Sequence, residues 1–260
     1  MTIKTKLLKQ GLLGMFFFNF LFAQQSNNYI SIIQQQNNPF SYSRLKLKKD
    51  DTKIAFNRYM QIISKNPVLI KKWIINKTNV IKRMQHTAYK SYTKEEINNW
   101  LNKIVKNTSF QKAFYYLYIK RGLYNFKNKL VVLPDFKNGF KYLSKSIIET
   151  KNPIASYIGS DFLFFGFPNL NNPITVKYSK LFSEALYFTQ KSCLGYYLYG
   201  QSFIPNTPYQ NYTKAHKILT EGYKKCKKFE KRKDYSRIIA LNMKYDAAKA
   251  KALILIQKGE

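Results

Sequence analysis

The chain has 260 residues, 45% of them hydrophobic, including 21 tyrosines and 20 phenylalanines. That composition excludes a disordered chain and suffices for one or two domains or a short repeat array. Lys and Arg number 45 against 13 Asp and Glu, a formal net charge of +32, which points to anionic partners, set against the simpler reading of a solvated basic surface.

The N-terminus reads as an address. Lys4, Lys6 and Lys9 precede an apolar run from Gly11 to Ala23, and a stretch rich in Gln, Asn and Ser follows. A cationic start, a short apolar run and a small residue at the cut have the layout of a secretory signal peptide, residues 1–23, cleaved near Ala23. The product would be periplasmic or secreted. The run is shorter than the roughly 20 residues that span a bilayer; an uncleaved N-terminal anchor is the alternative. Residues 24–49 read as a flexible polar leader.

From about residue 50 the pattern is helical. In "DDTKIAFNRYMQIISK", Asp51 or Thr52 offers a cap, and Ile54, Ala55, Tyr59, Ile62 and Ile63 form one stripe. Pro67 suits the first turn of the next helix, which runs through "VLIKKWIINKTNVIKRM" in one piece or two. "YTKEEINNWLNKIV" carries a capping box, Thr93 with Glu96. These segments form a helical N-terminal region, 50–109. "KLVVLPDF" (129–136) is the only β-like fragment. Prolines at 134, 153, 168, 173, 205 and 208 punctuate at the spacing of helical hairpins.

Three later stretches begin alike: "AFYYLYIKRG", "ASYIGSDFLFFG" and "GYYLYGQSF". Each places a small residue two positions before a tyrosine: Ala113/Tyr115, Ala155/Tyr157 and Gly195/Tyr197, spaced by 42 and 40 residues. A lysine-marked second half follows each: "NGFKYL" from Asn138, "KYSKLF" from Lys177 and "KAHKIL" from Lys214, spaced by 39 and 37. All three put a lysine fourth and an apolar residue sixth. Small residues such as Gly139 and Ala215 let helices approach closely, while Leu143, Leu219 and the rings fill the grooves between them. One such hairpin cannot bury its apolar face alone, so neighbours must stack. The expected fold is all-α: an α-solenoid of antiparallel helix hairpins, about three recognisable repeats at 110–229, with a C-terminal capping helix at 230–260.

At this point the chain resembles the Sel-one-like repeat family, relatives of the tetratricopeptide repeat, whose units read A-x-x-x-L-G-x-x-Y and then D-x-x-K-A-x-x-W/L-x-x-K-A. The best matches are "DFKNGFKYLSKSI" (135–147) and "NYTKAHKILTEGY" (211–223). The glycine pattern of the family's inner loop is missing. The resemblance implies a scaffold or adaptor that binds proteins.

Cys193 and Cys226 are the only cysteines, and an oxidising compartment would join them. In an antiparallel hairpin the start of the first helix faces the end of the second, which is where these two fall. Two buried free thiols is the alternative. Cysteine-stapled hairpins are also what the resemblance implies for exported members.

Catalysis finds little support. His216 falls on a repeat helix and His86 near a helix end, while the paired acids Asp50/Asp51 and Glu95/Glu96 look like helix starts. No nucleophile elbow, phosphate loop or zinc motif is present. No enzyme, cofactor, metal site or small-molecule substrate is expected. The leading expectation is an exported adaptor holding an acidic protein or peptide in a concave basic groove. The alternative is a basic factor on anionic membrane, envelope polymer or nucleic acid, the last of these disfavoured by export.

Overall fold

A computed structural model describes residues 52–126, 129–166, 173–189, 191–205 and 207–259. The expected signal peptide, the polar leader and the cap candidate Asp51 lie outside these residues. Among the described residues no helix is long and apolar enough to cross a membrane.

Helix α1 (Thr52–Lys65) buries Ala55, Tyr59 and Ile63 but leaves Ile62 exposed, so the expected stripe is narrower by that residue. The following apolar segment forms two pieces, α2 (Val68–Lys77) and α3 (Val80–His86). Thr78 makes the break: its hydroxyl donates back to the Ile74 carbonyl and accepts from the Val80 amide, offering the backbone an alternative to the helix. Helix α4 (Lys94–Ile104) opens with the Thr93/Glu96 capping box in both directions.

Helix α5 (Thr108–Phe114), capped by Asn107, widens into a π turn over Tyr115–Ile119. An antiparallel hairpin follows, β1 (Arg121–Phe126) with β2 (Lys129–Pro134), Leu123 opposite Val132. The β-like fragment "KLVVLP" therefore has a strand partner in "RGLYNF", which carries no comparable β-branched run. The pairing satisfies the backbone groups of a long connection inside a helical fold. Then come α6 (Phe136–Thr150), α7 (Pro153–Gly166), α8 (Pro173–Tyr187), α9 (Cys193–Gln201), α10 (Tyr212–Cys226), a 3₁₀ turn (Lys227–Lys231) and α11 (Tyr235–Lys258). Asp135, Ser192, Asn211 and Asp234 each cap the helix that follows them through a side-chain oxygen.

Consecutive helices from α5 onward pack pairwise: α5 on α6, α7 on α8, α8 on α9, α9 on α10 and α10 on α11. Asn107 at the start of α5 donates to Glu149 at the end of α6, so that pair is antiparallel. In α8–α9, Leu186 and Tyr187 meet Gly195, while Glu184 meets Tyr199 one turn further along α9.

Two helices, α7 and α9, are buried all round. Every residue from Cys193 to Gly200 of α9 is buried, as is 154–164 in α7. Such a helix needs partners on two sides. In α7, Gly159 faces Phe182 of α8. Asp161, two residues and about 200° further round, faces Arg83 of α3. The N-terminal region thus covers the side of α7 turned away from α8.

Candidate interaction surface

The ten positions expected to pack between helices are all buried: Ala113, Tyr115, Gly139, Leu143, Ala155, Tyr157, Gly195, Tyr197, Ala215 and Leu219. A Cβ on Gly195 would stand 2.8 Å from the Tyr187 nitrogen and 2.9 Å from the Leu186 carbonyl carbon. One on Gly139 would meet the Leu117 side chain at 2.5 Å. The sulfurs of Cys193 and Cys226 are 2.03 Å apart, a disulfide distance, with Cα atoms 6.1 Å apart. The first residue of α9 is therefore tied to the last of α10.

The histidines have structural partners. His216 Nδ1 lies 2.9 Å from the Ala247 carbonyl of α11. A carbonyl only accepts, so Nδ1 carries the proton and donates. His86 Nε2 lies 2.6 Å from Asp234 Oδ2, a contact from a half-exposed ring to the cap of α11. Burial opposes ionisation of Asp234, but hydrogen bonds from Ser236 and His86 hold its carboxyl below the usual range. Among the described residues no three His, Cys, Asp or Glu side chains gather as a ligand set.

A concave groove would run along the first helices of the hairpins. The chain's own residues lie there. The Cys193 amide donates to the Thr87 carbonyl at 2.9 Å and the Tyr89 amide to the Lys191 carbonyl at 3.0 Å, around an Ala88–Ser192 bridge. Arg232 Nη1 donates to the His86 carbonyl at 2.7 Å, and Lys228 Nζ to that of Tyr89 at 3.0 Å. Lys191 pairs with Glu96 at 2.6 Å, and the Lys191 and Thr93 hydrogen bonds hold that carboxyl below its usual range. Arg83 closes the set against Asp161. The lone charge in the apolar stretch "ASYIGSDFLFFG" was the one signal that something basic must dock on α7.

Helices α8 and α10 each keep exposed residues. An open cleft of about 570 Å³ lies between α8 and α10, lined by Tyr187, Phe188, Tyr199, Lys214, Lys217 and Ile218 among others. Phe188 is 64% exposed. The Lys214 ammonium stands 5.4 Å from the Tyr199 ring centroid and 4.6 Å from that of Phe203, within reach of a cation–π attraction. The Tyr199 hydroxyl donates to Glu184 at 2.7 Å; burial and that carboxylate push its pKa up. Elsewhere six acidic side chains among the described residues are already in ion pairs with lysine or arginine within the molecule. The cleft thus offers rings and cations together. Lys217 is the fourth-position lysine of the expected third repeat and Lys214 opens that stretch; Phe188 sits outside every repeat mark and carried no sequence signal.

Compared with known proteins, the chain matches no family model, no curated protein and no solved structure.

Proposed function

We infer that this is an exported helical-repeat scaffold, a binding protein and not an enzyme, that engages an acidic protein partner on its outer surface. The hairpins α5–α6, α7–α8 and α9–α10 would be its three Sel-one-like units, and α11 its cap. Two findings shape the reading. The side where a peptide groove would lie is filled by residues 80–97. Lys214 and Lys217 on α10 are exposed.

The observation that carries the reading is the α8–α10 cleft, where Lys214 and Lys217 stand beside exposed Phe188. A cation beside an apolar ring suits a segment that alternates carboxylates with apolar side chains, and protein interfaces favour such aromatic anchors. A structureless polyanion would use the lysines and ignore the ring.

The test is fluorescence anisotropy with a labelled peptide of alternating glutamate and phenylalanine, at about 0.15 M salt, where screening reaches only ~8 Å. Phe188→Ala and the pair Lys214→Ala/Lys217→Ala should each weaken binding several-fold. Binding insensitive to Phe188 and matched by heparin or anionic vesicles would instead favour the reading as a charge-driven binder of envelope polymer or membrane.

A further inference from the structure

Helix α11 has two faces of opposite kind. Its inward face sets Ser236, Ala240, Met243, Ala247 and Ala250 against the body at alternating intervals of four and three, all buried. On the other side Leu241, Tyr245, Ala248, Ala252 and Leu255 follow the same alternation, and all five are exposed. Ile256, 69% exposed, widens the stripe at its C-terminal end. A helix that only capped the fold would show water a polar face here.

Apolar residues at alternating four and three are the pattern by which one helix receives another, side chains of each entering gaps in its neighbour. The two alanines in the middle leave gaps of that kind. From Leu241 to Leu255 the stripe runs about 21 Å at 1.5 Å per residue, the length of a four-turn partner helix.

The charges along the stripe say what that partner is. Arg237, Lys244, Lys251 and Lys258 stand at intervals of seven along one edge, all exposed, and Lys249 stands on the other. The helix's one acid, Asp246, is turned away toward Tyr197. Residues repeating every seven beside an apolar seam occupy the flanking position whose charges select partner and orientation. A second copy of the chain fits badly. Antiparallel pairing would set the basic ridge against itself, and parallel pairing would set it against an edge bearing Lys249 and no carboxylate. Like charges at closest approach disfavour both.

We propose that the outer face of α11 is the docking site for an amphipathic helix of an acidic partner, with an apolar seam and carboxylates every seven residues facing the Arg237–Lys258 ridge. The site rests on the acidic-partner reading above and gives it a shape.

The test uses the purified protein and two labelled three-heptad peptides with leucine at both seam positions. One carries glutamate at both flanking positions, the other lysine. The glutamate peptide should bind saturably by anisotropy at about 0.15 M salt, with a helical gain in circular dichroism. Tyr245→Asp and Leu255→Asp, both exposed positions, should each weaken it at least tenfold without shifting the unfolding midpoint. The triple reversal Lys244→Glu/Lys251→Glu/Lys258→Glu should lose the glutamate peptide and gain the lysine peptide, a switch that a merely misfolded variant cannot show. Binding of the glutamate peptide unchanged by all these substitutions overturns the site. If Lys214→Ala/Lys217→Ala then abolishes that binding, the acidic-partner reading survives without it; if no substitution matters, both fall. A dimer by light scattering that Leu255→Asp dissolves also overturns it, since a second copy then covers the face.

Discussion

Arg83 on α3 grips Asp161 on α7 at two points, Nε to Oδ1 at 3.1 Å and Nη2 to Oδ2 at 2.5 Å, across 78 residues of chain. The carboxylate side chain is 2% exposed and the guanidinium 17%. Two-point geometry of this kind fixes orientation as well as distance. It sets how α3 and the N-terminal region lie on α7.

Removing Arg83 leaves a buried charge without its counter-ion. Arg83→Ala should cost about 3–5 kcal/mol in denaturant unfolding, whereas Arg83→Met with Asp161→Leu should recover most of that loss. Equal destabilisation by the single and double variants would mean that the pair does not act as a unit.

The link between Cys193 and Cys226 closes a loop of 33 residues' separation. Constraining the unfolded chain over that span contributes about 3–4 kcal/mol in the loop-entropy account. Reduction, or Cys193→Ser with Cys226→Ser, should lower the unfolding free energy by that order. An unchanged midpoint under reductant would show that the hairpin α9–α10 holds without its staple.

Gly195 and Gly139 separate two kinds of close approach. An added methyl at Gly195 meets backbone of Tyr187 and Leu186, which cannot turn aside, while at Gly139 it meets the Leu117 side chain. Gly195→Ala should therefore cost about 2–3 kcal/mol or more, near or above the upper range for overpacking, and Gly139→Ala less. Thermal melts of the two variants decide it; the reverse order would contradict the packing described for α8 and α9.

Asp246 gives a pH dependence of known sign. Burial pushes its carboxyl up to about 6, with Lys249 opposing. The folded chain holds that proton where the unfolded chain, at its ordinary 3.8, has released it. Its contribution is therefore most favourable below pH 3.8 and is lost as pH rises through 6. Asp246→Asn should stabilise the protein by about 1–2 kcal/mol at pH 7.5, the group being only partly shielded, and by nothing at pH 3.5. A gain equal at both pH values would mean that charge is not the cause.

Much of the helical order was legible because it is local. The Thr93–Glu96 box, the proline starts of α7 and α8 and the small-residue marks lie within a few positions of what they specify. The cysteine pair was legible because it brackets one hairpin. The covering of α7 and α9 was not, because its contacts, Arg83 with Asp161, His86 with Asp234 and Thr87 with Cys193, join residues far apart in sequence, and neither partner announces the other. Strand β1 was hidden for a different reason: "RGLYNF" becomes a strand by pairing with β2, not by its own composition. The outward stripe of α11 shares its spacing with the buried one, and only burial tells them apart.

Residues 87–89 of the chain itself close one side of α9, and amide hydrogen exchange of Tyr89 and Cys193 reads that closure directly. Both amides are held by hydrogen bonds between residues 87–92 and the start of α9. They should exchange as slowly as the amides of the buried α9 core, and stay as slow when the acidic helical peptide saturates the protein. Exchange at loop rates, or release of these two amides on peptide binding, would show that the segment yields and that the partner enters the groove it now fills.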